Sequence, residues 1–446
     1  MKKKLLKWFF PVLALVFFGT ILGALLVDFV PSTANVFFST ATGMLSYSIM
    51  LTLVLIAVRP KAIEKELGLT DMYVVHGWLA MALPVTLLVH VGIRWSGLEN
   101  IITLDLSPAS MWGFGGLLAL IVVMLTGIFV LSDTFIDWSD KLIGLKENKF
   151  KRNFHLWLHR LSIVSIILIH FHIYNVNYIR HNVPLRALVT TYTVIVLGWY
   201  FLFKIKLGRL PKHEIASVTQ PTPDIYEISI KAENGESIDY EAGQYAFFRF
   251  VDSEVSSEAH PFSFSSAPEH SEDTIEIMVK ESGDFTSTLD QVKAGDQLTI
   301  EGPYGNYYPE EEKKSDTPIL LFSGGIGVTP NFSILRHEIA VNSDRRIIFV
   351  WGLDTESDMM YIDELEQISE ENENFSFHLI FSGEEVEGYP HGFVDDDFIR
   401  DEGLEEYYET ANWHVCGPPP MLAAATGLMD DQGVSEEQRY VEEFAF

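Results

Sequence analysis

The first half of the chain is a series of long apolar runs broken by short polar loops. The second half alternates on a much shorter period. Six runs approach the ~20 apolar residues that cross a bilayer: Leu5–Val27, Phe37–Val58, Met72–Trp95, Ala109–Leu131, Leu156–Tyr178 and Leu188–Phe203. MKKKLLK is a basic start of the kind that opens a signal peptide. The run behind it is long and no small-residue cleavage site stands out, so a first span is expected instead. Lys204–Pro223, basic and proline-bearing, reads as a linker. Beyond it come IYEISI, QYAFFRFV, PFSFSS, TIEIMV and QLTIEG, with Gly and Asp between them. That texture predicts a small antiparallel barrel. From Thr317 the strands PILLFS, RIIFVWGL, FSFHLIFS and WHVCG alternate with helical stretches such as Phe332–Val341 and Tyr361–Ser369. This predicts a doubly wound α/β domain. The expected organisation is a six-span helical membrane bundle over 1–205, a β-barrel over 206–312 and the α/β domain over 313–446.

Charge sharpens the division. Residues 1–212 hold 20 Lys+Arg and 10 Asp+Glu, leaving 31 − 20 = 11 basic and 61 − 10 = 51 acidic residues in 213–446. A half near −40 excludes nucleic acid as a partner and docking on anionic lipid. The lone Cys416 excludes an intrachain disulfide framework. In the loops between spans, 16 basic residues fall on one side, and Arg94, Arg180 and Arg186 on the other. The positive-inside bias then puts both termini and the acidic half in the cytoplasm of a multi-pass plasma-membrane protein.

Ionisable side chains inside spans are expensive and point to function. Span 3 carries His76 and His90; span 5 carries His159, His170 and His172. Spans 3 and 5 run in the same direction. His76 and His159 lie near the cytoplasmic end, and His90 and His172 near the outer end. Each pair within a helix is about 20 Å apart at 1.5 Å per residue. Two helices offering two imidazoles at matching depths, twice, is the arrangement of two stacked bis-histidine haems. The angles agree only in part. Fourteen residues return to within about 40° of one face, whereas thirteen miss by about 140°. Depth favours His172 and angle favours His170, unless span 5 is locally distorted. Arg94 and Arg160 stand next to these histidines, placed for a haem propionate or for snorkelling to the interface.

In the soluble half, SGGIGVTP (Ser323–Pro330) follows a buried strand. A glycine loop there lets backbone N–H groups approach a pyrophosphate, with Pro330 expected to open the next helix. CGPPPML (Cys416–Leu422) ends the last long strand and can face the same crevice. In HPFSFSS (His260–Ser266), Phe262 can pack on an isoalloxazine ring and Ser263 can hydrogen-bond its reactive edge. ESGDFTSTL (Glu281–Leu289) offers a glycine, hydroxyls and a helix start for phosphates. GPYG (Gly302–Gly305) closes the barrel nearby.

In this order and spacing, HPFS, GDFT, GPYG, GGIGVTP and CGPPPM, preceded by the paired histidines, resemble the NADPH oxidase and ferric reductase family with its ferredoxin-reductase-type dehydrogenase. The likeness runs from about residue 40 to the end. It implies FAD on His260, Pro261, Phe262, Ser263, Gly283, Asp284, Phe285, Thr286, Gly302 and Gly305. It implies NADH or NADPH on Gly324, Gly325, Gly327, Thr329, Pro330, Cys416, Gly417 and Pro418. It implies two b-type haems on His76, His90, His159 and His172. A C-terminal aromatic that shields the flavin would be Phe446, with Phe444 second. Ser263 and Cys416 join Phe446 as catalytic candidates. Relatives selective for NADPH carry Ser-Arg where this chain has Ser382-Gly383 followed by Glu384 and Glu385, which implies NADH or weak discrimination. Arg94 stands where oxidases often have a histidine, and is the candidate at the acceptor site. The implied activity carries electrons from cytoplasmic NAD(P)H to an outer acceptor, oxygen or a ferric chelate, with no obligate protein partner visible. Delivery to a partner protein or quinone is the alternative.

Overall fold

The computed structural model describes residues 6–28, 33–96, 107–130, 152–231, 238–251, 255, 257–269, 274–283, 285–341 and 344–443. Asp284, Phe444 and Phe446 lie outside them. The chain forms two compact units, Met1–Gly208 and Arg209–Phe446.

The first unit is helical: α1 (Phe9–Asp28), α2 (Ala34–Ala57), the short α3 (Lys61–Leu67), α4 (Leu69–Ser96), α5 (Pro108–Val130), α6 (Arg152–His159), α7 (Leu161–Asn175) and α8 (Val183–Leu207). Six stretches are long and apolar enough to cross a membrane, the fifth running through α6 and α7. Thr33 caps α2 by accepting from the Val36 N–H, and Asn182 caps α8 by accepting from Leu185. α2 is the most buried of the six and lies at the centre of the unit. Met81, Val85 and Leu88 on α4, Leu118 and Leu125 on α5, and Val194 and Leu202 on α8 stand exposed. Such an apolar surface is what a bilayer covers. The fifth span is broken at Arg160, whose N–H bonds the Trp157 carbonyl and whose own carbonyl accepts from Ile163. These three-residue closures wind the chain more tightly than an α-helix and advance its phase, which is a local distortion of span 5.

The second unit opens with a six-stranded antiparallel barrel. Its strands are β1 (Lys212–Thr222), β2 (Ile225–Lys231), β3 (Tyr245–Val251), β4 (Ala259–Ser263), β5 (Thr274–Lys280) and β6 (Gln297–Tyr304), in the order β4-β3-β6-β1-β2-β5. A Phe264–Ile277 bridge and the Ser265 N–H on the Glu276 carbonyl join the two ends. Ile215, Ile228, Phe248, Phe250, Phe264 and Leu298 fill it. The expected linker over Lys204–Pro223 is corrected: it is the end of α8 and strand β1. β1 is largely exposed and polar, so no apolar alternation marks it.

Five parallel strands follow: β7 (Ile319–Gly324), β8 (Ile347–Leu353), β9 (Phe375–Phe381), β10 (Asn412–Cys416) and β11 (Arg439–Glu442), in the order β11-β10-β7-β8-β9. Helices α9 (Val328–Ala340) and α10 (Ile362–Glu371) contribute to a core with Leu321, Phe349 and Trp351. α11 (Asp396–Asp401) and α12 (Pro419–Asp431) contribute to a second core with Leu320, Phe322, Val350 and Trp413. Alternate residues of β7 and β8 feed the two cores, so both faces of the sheet are covered. α9 begins at Val328, so Pro330 is its third residue and does not open it.

Candidate functional site

The parallel sheet reverses direction at β7. The chain passes from β7 to β8 on one side and returns to β10 on the other. In such sheets ligands settle outside the carboxyl ends of the strands at this reversal. Both glycine motifs are there, because Ser323 at the end of β7 pairs in register with Cys416 at the end of β10. The two loops touch. A Cβ on Gly327 would overlap the Cys416 carbonyl, and one on Gly324 would overlap the Met421 sulfur. Gly325 has φ +50°, the left-handed region that glycine enters freely. The backbone is thus shaped so that N–H groups at the start of α9 can meet an anion without side chains intervening. Asn331 donates to Ser323 Oγ at 2.8 Å and accepts from the Tyr307 hydroxyl at 3.0 Å, locking α9 to β7 and the barrel exit. Cys416 is fully buried, and burial, helped by Glu442, pushes its thiol well up. It sits in the core beneath the crevice as a neutral thiol.

The barrel side offers an aromatic face. His260 stacks on Phe285 with centroids 3.7 Å apart, and Phe262 lies nearly parallel to both. Ser263 is buried at the end of β4, paired with Tyr245. Pro261 pairs with Phe247 on the same ribbon. A Cβ on Gly302 would press on Ala246, and Gly305, at φ +94°, packs on the Tyr245 ring. In the loop after β5, the Thr286 hydroxyl accepts from the N–H groups of Ser282 and Gly283 at 2.8 and 3.0 Å. Barrel and sheet are pinned through α9. Arg336 donates to the Ser265 carbonyl at 2.9 Å and holds Glu364 with two bonds of 2.7 Å. The Ser333 hydroxyl donates to the Ser266 carbonyl.

In the helical unit the structure brings together His76 with His159, and His90 with His172. Both ring pairs have centroids 6.4 Å apart. Two imidazoles sharing one metal, with bonds of about 2 Å and each nitrogen about 1.1 Å from its ring centre, would stand about 6.2 Å apart. The spacing at both levels therefore fits two imidazoles that would share one metal ion. His90 Nδ1 lies 2.7 Å from the Ser39 carbonyl and His172 Nδ1 2.8 Å from the Ala109 carbonyl. A carbonyl only accepts, so each Nδ1 carries the proton and each Nε2 keeps its lone pair for a metal. His170 faces away, 3.3 Å from the Thr193 hydroxyl and against the Tyr174 ring. Arg94 lies one turn past His90 on α4.

Residues 212–308 match the model of an FAD-binding domain, and residues 321–427 that of an oxidoreductase NAD-binding domain. The reductase component of propane 2-monooxygenase from Mycolicibacterium goodii is 30% identical over 252 residues, which cover 53% of this chain and 70% of that protein. The chain belongs to the ferredoxin-reductase-type FAD/NAD reductases. One component of the Na(+)-translocating NADH-quinone reductase of Idiomarina loihiensis is also 30% identical to this reductase, over 170 residues. That match covers 36% of this chain and only 40% of the Idiomarina protein. The FAD/NAD-binding domain of a Vibrio cholerae nitric oxide dioxygenase superposes with a TM-score of 0.46 at 20% identity, covering 52% of this chain and 98% of that one.

Sequence reasoning missed one acidic residue of this reductase's crevice. Asp354, at the end of β8, contacts the Ser382-Gly383 turn, with the Gly383 N–H on its carbonyl and its carboxylate where a Gly383 side chain would start. Glu384 accepts from the Glu356 N–H beside it. The signal was an acid directly after a parallel strand, a place where ribose contacts arise.

Proposed function

We propose that this reductase moves electrons from cytoplasmic NAD(P)H across a lipid bilayer to an acceptor on the outer face, oxygen first, giving superoxide. The β4 face, the Gly283–Thr286 loop and Gly302–Gly305 would hold FAD. Gly324–Pro330 and Cys416–Pro418 would hold the dinucleotide, and the acids at Asp354 and Glu384 favour NADH. His76 with His159 and His90 with His172 would hold two b-type haems, as in the NADPH oxidase and ferric reductase family. When bound, flavin divides a hydride's electron pair and haem iron relays single electrons. The chain's own work is placement: the crevice orients the nicotinamide end, Ser263 offers a hydroxyl at the flavin edge, and the apolar helices keep the paired imidazoles dry. Arg94 is the proposed acceptor-side residue. The excess of basic residues in one set of loops supports a plasma-membrane protein with the dehydrogenase and both termini in the cytoplasm.

The observation that carries this reading is the repeated 6.4 Å imidazole spacing. Haem content of the purified full chain tests it. Two haems per chain are expected in the wild type and in His170→Ala, and one in His172→Ala. A wild type without haem overturns the reading. With NADH, acceptor reduction in air that superoxide dismutase abolishes identifies oxygen; rapid anaerobic reduction of a ferric chelate identifies a metalloreductase. A second reading, delivery to a quinone or partner protein, is favoured by relatives named as part of a quinone reductase and as a monooxygenase reductase component. NADH oxidation that starts only when a quinone is supplied would select it.

A further inference from the structure

The helices that carry no ligand histidine are built to the same local plan where they meet the outer pair. On α2 the Ser39 carbonyl accepts from His90, and four residues later comes Gly43. On α5 the Ala109 carbonyl accepts from His172, and four residues later comes Gly113. Four residues is one helical turn, so each glycine sits directly over the accepting carbonyl. A Cβ on Gly43 would come within 2.8 Å of His90 Nδ1 and 2.9 Å of its Cε1. A Cβ on Gly113 would come within 2.8 Å of His172 Nδ1 and 3.2 Å of Cε1. Any side chain would push the ring off its carbonyl. His159 of the inner pair is seated differently. A Cβ on Gly127 would reach His159 Cε1 only at 4.0 Å. His159 faces the Val123 carbonyl, but its buried Nδ1 completes no well-formed hydrogen bond among the described residues.

We propose that Gly43 and Gly113 are positioning residues. They seat both outer imidazoles on backbone carbonyls and thereby set the outer haem at a lower midpoint potential than the inner one. The inference rests on the reading that these histidines bind haem. The physical link is ligand basicity. An imidazole that donates from Nδ1 gives more electron density through Nε2 and stabilises the ferric state. The outer position then becomes the stronger one-electron donor, which suits an acceptor that is hard to reduce.

Redox titration of the purified, haem-loaded full chain, followed optically with haem content measured alongside, tests this. The wild type should show two separated midpoints, and His172→Ala should lose the lower one. Equal midpoints, or loss of the higher one, overturn the proposal. Gly43→Ala and Gly113→Ala should keep two haems, raise only the lower midpoint and shift the low-spin electron paramagnetic resonance signal of that haem. Gly127→Ala should leave both midpoints in place. Two haems with unmoved potentials in Gly43→Ala and Gly113→Ala sink the proposal and leave the haem reading intact. A wild type with no haem sinks the haem reading itself. If the glycine variants do not fold, the wild type and His172→Ala still decide.

Discussion

At the scale of single residues, the site depends on where side chains are missing as much as on where they stand. Gly383 illustrates this. Arginine at that position would first meet the Asp354 carboxylate, so it could not simply supply a partner for a 2′-phosphate. Asp354 is therefore the proposed specificity element. Asp354→Ser should raise kcat/KM for NADPH about fivefold relative to NADH, because a partly screened like-charge contact costs on the order of 1 kcal/mol. Steady-state kinetics with both nucleotides checks this, and an unchanged ratio places the 2′-position elsewhere. The histidines show what the sequence made legible and what it hid. Their depth could be counted from spacing. Their angle could not, because the tight turn at Arg160 has no proline or glycine to announce it.

At the scale of elements, legibility followed burial. β7 and β8, covered on both faces, read clearly as continuous apolar runs. β1, mostly exposed, carries the polar texture of a linker although it lies between β6 and β2 and completes the barrel. The crevice loops were legible because glycine and proline punctuate them. Their contact with each other depends on strand order, which no local pattern encodes. α9 links these elements, and Arg336 is its strongest tie. It is largely buried, and although burial favours its neutral form, Glu364 and Glu276 hold it charged. Arg336→Ala leaves Glu364 unpaired and frees the Ser265 carbonyl, a loss of about 2–3 kcal/mol. The temperature at which the full chain releases flavin fluorescence should fall by about 6 °C. A shift within 1 °C would show that α9 is held by its apolar contacts alone.

At the scale of the whole molecule, the acidic half is far from neutral overall yet pairs charge in its interior. Glu312 and Arg345 form a buried ion pair, joined by the Asn412 amide, with His414 3.6 Å away. Burial would raise the Glu312 carboxyl, but His414 and Arg345 outweigh it and bring it down to about 2. A carboxyl depressed on folding adds stability that is present above its unfolded value near 4.3 and lost as the pH falls toward 2. The flavin-release temperature should therefore drop between about pH 4.5 and 2. In Glu312→Gln it should start lower at neutral pH and fall less across that window. Parallel curves for the two proteins would assign acid sensitivity to other carboxylates.

The reversal of the sheet at β7 also orders events during synthesis. The glycine loop after β7 leaves the ribosome some ninety residues before Cys416, the residue that completes the crevice from the far side. By then every apolar helix of the first unit has been made. A nascent chain halted before Asn412 could occupy its membrane and still have no access to the cell's reduced nucleotide pool. Such a copy holds one wall of the dinucleotide crevice and lacks the other.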